Sequence, residues 1–104
     1  MTKKTFGSRK YNRHERFDAI WSYHMWLAHC DWAIVHWETG QTKQGDAAMK
    51  QARFYLGMWV EAMAGKEDLA AYGRAVCARW EKIFNREKWI TDKIAEIRQV
   101  REVK

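Results

Sequence analysis

Proline is absent from the 104 residues, glycine occurs six times and cysteine twice. Each scarcity removes a class of protein. Two cysteines cannot build the disulfide framework of a small secreted scaffold, and six glycines without proline exclude collagen-like or linker composition. The sequence also lacks a Gly-rich phosphate loop, a Gly-x-Ser-x-Gly elbow and a Cys-x-x-Cys pair, so no motif of known chemistry stands in it. Uninterrupted hydrophobic runs are missing as well. The stretch from Phe17 to Trp37 has the length of a membrane span, but Asp18, Ser22, His24, His29, Asp31 and His36 break it, and a charge at mid-bilayer costs about 3 kcal/mol on insertion scales. No small-residue cleavage pattern follows the first apolar stretch, so a signal peptide is not expected. These absences predict a cytoplasmic protein without a membrane segment, with Cys30 and Cys77 as free thiols.

What the sequence does contain is apolar and aromatic material: 47% of residues are hydrophobic and seven are tryptophan. A chain of this length folds as one domain that hides roughly two-thirds of its unfolded surface, enough for a core without staples. The net charge of +6 is local. Met1 to Arg16 carries Lys3, Lys4, Arg9, Lys10, Arg13 and Arg16 against Glu15 alone, which leaves the remainder near neutrality. The organisation expected is therefore a basic N-terminal arm over 1–11 and a single helical domain over 12–104. Such an arm can track phosphates, lie against an acidic protein face or keep the domain soluble as a solvated tail.

The fold class expected is all-α, a small bundle of three to four helices. Asn12-Arg13-His14-Glu15 has the spacing of a capping box and Gly40 stands as a C-terminal stop, which delimits a first helix over 13–38. Thr39 to Gly45 reads as a loop. Asp46 is then the cap of a second helix over 46–64, ended by Gly65, and Asp68 the cap of a third. From Leu69 onward, Val76, Ile83, Ile90 and Ile97 recur every seventh residue, the seam of a coiled coil that could join a second copy of the chain through its C-terminal half. A single helix over 68–103 would be about 54 Å long. The alternative is a break at Asn85 that divides 68–84 from 86–103, with Phe84 and Trp89 placed as a hydrophobic staple.

The first helix is the unusual element. On a helical wheel its polar arc holds only Asp18, Ser22, His29 and His36, and the rest of the circumference is apolar. Phe17, Trp21, Met25, Ala28, Trp32 and Val35 form one flank; Ala19, Tyr23, Trp26, Cys30, Ala33 and Trp37 form the other. Two or three further helices cannot easily surround it, so the flank of Tyr23, Trp26, Ala33 and Trp37 is expected to contact a partner, the alternative being a Trp-rich core wrapped by the third and fourth helices. Phe54 and Met58 on the second helix join this partner-binding set, or else flank the core. Two polar residues, His24 and Asp31, fall inside the apolar arc and need partners if buried. Arg74, Arg79 or an indole N–H would serve Asp31; a backbone carbonyl or a tyrosine hydroxyl would serve His24.

No metal site is expected, since only His14 and Asp18 have chelating spacing and two ligands do not make a site. No cofactor is implied. Cys30 lacks a base on its own face, because His29 points about 100° away. The leading expectation is a small non-enzymatic helical protein that binds a macromolecular partner, of the kind that phages and mobile elements encode as inhibitors of host machinery. The alternative is a DNA- or RNA-binding regulatory protein that uses Lys3, Lys4, Arg9, Lys10, Arg13 and Arg16, with Phe6 and Tyr11 placed for base stacking. An enzyme would require a pocket converging on His24 and Asp31.

Overall fold

The computed structural model describes residues 11–103, which form four helices: α1 Arg13–Glu38, α2 Thr42–Ala62, α3 Glu67–Ile83 and α4 Arg86–Val103. Among the described residues there is no strand. The all-α bundle is thus established, with α3 and α4 as separate helices.

The local signals explain most of the boundaries. Asn12 Oδ1 accepts from the Glu15 N–H at 2.8 Å while Glu15 Oε1 accepts from the Asn12 N–H at 3.0 Å, so both halves of the capping box are present. At the other end of α1, Gly40 takes φ 79°, the left-handed conformation that only glycine adopts without strain. Thr39 Oγ1 donates back to the Val35 carbonyl at 2.8 Å. The break in the C-terminal half is present: Phe84 is extended at ψ 110°, Asn85 Oδ1 accepts from the Lys88 N–H at 3.1 Å, and the rings of Phe84 and Trp89 meet 6.1 Å apart as a staple. The continuous 54 Å helix is therefore excluded. Replacing Asn85 with alanine is expected to cost about 1 kcal/mol, the usual value of a lost N-cap; urea denaturation followed by far-ultraviolet circular dichroism measures it.

Two starts differ from expectation. The second helix begins at Thr42, four residues ahead of Asp46. The reason is that Asp46 is engaged elsewhere: its carboxylate accepts the Trp37 indole N–H at 3.1 Å, and the turn is closed instead by the Gln41 N–H on the His36 carbonyl at 2.7 Å. Asp68 likewise lies inside α3, which starts at Glu67, and its Oδ1 receives the Tyr11 hydroxyl at 2.7 Å. Tyr11 is itself buried in the core with Ala19, Trp59, Met63, Leu69 and Ala70, so the folded unit takes in the residue expected to end the arm.

The packing has a hub. Helices α2, α3 and α4 each pack chiefly against α1. Tyr23 and His29 meet Trp59 and Tyr55 of α2. On the far side of α1, the carbonyl of Ile20 and the side chains of His24, Asp31 and Trp32 meet Cys77 and Trp80 of α3 and Arg86 and Trp89 of α4. This is why α1 is apolar nearly all round: it is sandwiched. The closest approach is at Ala19, whose carbonyl accepts the Trp59 indole N–H at 2.8 Å and whose backbone lies against Gly73. Leu69 and Val35 are fully buried, each a contribution of about 2 kcal/mol from removed apolar surface.

Candidate functional site

Where α3 stops and α4 begins, a groove of about 220 Å³ opens against α1. Its floor is α1, through His24, Leu27, Ala28 and Asp31. Trp80 and Phe84 form one wall and Trp89, with Trp32, the other. The staple at the break positions two of these rings, and the rings brace one another. Trp32 and Trp89 sit edge to face at 5.0 Å and 89°, and His24 meets Trp80 at 5.6 Å and 85°. Despite this, Trp80 remains 46% exposed, Phe84 45% and Trp32 37%. Trp21 and Phe17, stacked at 5.8 Å and also exposed, extend the aromatic surface toward the start of α1.

One end of the groove is ionic. Asp31 is only 5% exposed, and its two oxygens accept from Arg86 Nε at 3.1 Å each, with Arg86 Nη2 also bonded to Oδ1. Arg86 Nη1 lies 3.5 Å from Glu81. Hydrogen bonding to Asp31 raises the guanidinium above its ordinary range, so it stays charged throughout. Asp31 is thus buried and paired, as its position requires, but with Arg86. Arg74 sits instead over the Trp59 ring at 5.7 Å, and Arg79 is exposed.

His24 is a correction: it is exposed and lines the groove, its ring against Trp80 of α3. Both carboxylate oxygens of Asp31 are taken by Arg86, so the aspartate is not set to orient His24 as a base. The thiols are also unsuited to attack. Burial raises Cys30, with the Asp31 charge adding to it, and burial pushes Cys77, which is 3% exposed, up to about 11. Iodoacetamide at pH 8 should alkylate Cys77 at least about tenfold more slowly in the folded protein than in urea, since only thiolate reacts; mass spectrometry of quenched samples reads the rate. Among the described residues, no group of three or more His, Cys, Asp or Glu is placed to hold a metal ion.

The sequence-predicted partner flank is also redistributed. Tyr23 and Trp26 are only partly exposed and lie in contact, rings 5.2 Å apart, with Tyr23 packed on the core. The three-residue turn after α1 folds α2 back alongside it, where Tyr23 meets Trp59 with rings 4.9 Å apart. Trp37 is 41% exposed, but its ring covers Gly45 and its indole is bonded to Asp46. Phe54 and Met58 are exposed on α2, 60% and 42%, and take no part in the groove. Of the basic set, Arg13 is exposed and Arg16 donates to the Tyr11 carbonyl at 2.6 Å; Lys3, Lys4, Arg9 and Lys10 lie outside the described residues. Sequence reasoning misses Trp80 and Arg86. The Asn85 break is the available signal, because it interrupts the helix that would otherwise cover α1 at the level of Asp31.

No family model matches the chain, and no curated protein or solved structure matches it either. No helix among the described residues is long and apolar enough to cross a membrane.

Proposed function

We propose that the chain is a small non-enzymatic interaction protein that binds another protein through the aromatic groove at the α3–α4 junction. The observation that carries this reading is the convergence of Trp32, Trp80, Phe84 and Trp89 from three helices on one groove, with the first three more than a third exposed. Tryptophan is the residue most enriched among those that dominate binding energy in protein interfaces, and an opening of this kind admits a protruding side chain of a partner. An inhibitor of host machinery carried by a phage or mobile element is a protein of this size and surface. Trp80→Ala and Trp32→Ala, each in an otherwise full chain, should reduce capture of partner from nuclease-treated lysate at least about tenfold, with helicity retained. Unchanged capture by both folded variants would remove the groove from the function.

A second reading has its own support, the concentration of five of the six net positive charges in residues 1–16. On that reading the arm binds nucleic acid. Exchange of Lys3, Lys4, Arg9 and Lys10 for glutamine should then flatten the salt dependence of binding to DNA or RNA, and capture by the groove should be unaffected.

A further inference from the structure

The charged lining of the groove is more than a purely apolar contact needs. It consists of Asp31, Glu81 and Arg86, two carboxylates to one guanidinium, so the opening has an excess of negative charge inside a chain of net +6. Arg86 is engaged on both sides, by Asp31 and by Glu81. Among the described residues Glu81 has only that one 3.5 Å contact, and it is 39% exposed along its side chain, which leaves its carboxylate able to accept from a further donor. The surrounding rings carry negative charge on their faces. The pairs Trp32–Trp89 and His24–Trp80 are perpendicular; His36 stacks on one face of Trp32, and Trp80, 46% exposed, is the most open of the lining tryptophans.

Aromatic faces beside an undercompensated carboxylate attract an organic cation. We infer that the groove takes the alkylammonium or guanidinium end of a lysine or arginine side chain presented by the partner protein, held by the aromatic faces and matched in charge by Glu81. This rests on the reading of the groove as the partner site and adds the chemistry of the group that enters it. A neutral aliphatic anchor would desolvate Glu81 without pairing it, and the site selects against that.

The test uses the full chain and two probes of similar shape, tetramethylammonium and neutral tert-butanol, at ionic strength matched with sodium chloride. The indole N–H signals of Trp32, Trp80 and Trp89 report binding by NMR. Tetramethylammonium should shift them with half-saturation about tenfold lower than tert-butanol, and Glu81→Gln should reduce that preference about threefold while leaving tert-butanol unchanged. Equal half-saturation for the two probes overturns the cation inference and leaves an apolar partner pocket standing. Shifts with neither probe also overturn it, while the capture experiment with Trp80→Ala still decides the partner reading separately. The chain's own basic arm carries the same groups. If exchange of Lys3, Lys4, Arg9 and Lys10 for glutamine tightens tetramethylammonium binding, the arm is the occupant and the assignment to a partner fails; unchanged binding supports it.

Discussion

Arg86→Ala is expected to destabilise the protein by about 3 kcal/mol, the lower end of the cost of stranding one member of a buried ion pair. The lower end applies because Arg86 is itself a third exposed, so water reaches the vacated space. Asp31, at 5% exposure, is the member left behind. The pair is therefore asymmetric. Asp31→Asn removes the buried charge and frees Arg86 to reach solvent, and its cost should be only about 1.5 kcal/mol, that of weakened charge-assisted hydrogen bonds. The double exchange Asp31→Leu with Arg86→Met should recover much of the loss, because apolar replacement of a buried pair is often neutral. Urea denaturation of the three variants checks the ordering, and equal losses for Arg86→Ala and Asp31→Asn would mean that the pair is solvated. Since α4 is also tied to α1 by Arg98 on the Glu38 carbonyl and Arg101 on the Thr39 carbonyl, amide exchange in the Arg86→Ala variant should rise first in α4.

Gly73→Ala should have a sign opposite to its helix propensity. Alanine is favoured over glycine inside a helix by about 1 kcal/mol. At Gly73, however, an added Cβ would fall deep inside the Ala19 carbonyl group, with the carbonyl carbon only 2.7 Å away. The obstacle is backbone, which cannot swing aside, so α3 must lift from α1 and loosen Leu69 and Trp59 with it. Overpacking of this kind costs about 3 kcal/mol, for a net loss of about 2 kcal/mol and a fall in melting temperature of roughly 10 °C for a domain of this size. A melting temperature that rises instead would mean that the helices are not in contact there. Gly57 is the natural control, because a Cβ added there, on the outer face of α2, would meet nothing within 4 Å: Gly57→Ala should stabilise.

How far the sequence can be read follows from the reach of each signal. The capping box at Asn12, the stop at Gly40 and the break at Asn85 are each written within five residues, and the structure has all three. The start of α2 is hidden because Asp46, a good cap by type, is used by an indole nine residues earlier, and Gln41 at the true boundary makes no side-chain cap bond. The partner of Asp31 lies 55 residues away on α4, and an aspartate's position fixes the need for a cation without saying which. The site is half legible. An apolar circumference on α1 announces that neighbours must cover it, but periodicity cannot tell on which flank a short turn will lay the next helix. Hence Tyr23, expected to meet a partner, packs on Trp59 of α2, while Trp32 on the other flank and Trp80 of α3 bound the opening.

The hub arrangement has a consequence for synthesis. A chain leaving the ribosome emerges from its N-terminus, so α1 is complete before any helix that covers it exists. α2 follows after three residues and can close at once on the flank of Tyr23. The opposite flank, with Trp32 and Asp31, must wait until Arg86 and Trp89 have been translated, 55 residues after Asp31 in the case of its partner. For that interval the emerging polypeptide displays an aromatic stripe and an unmatched carboxylate side by side, so the flank of Trp32 is the last part of α1 to be covered.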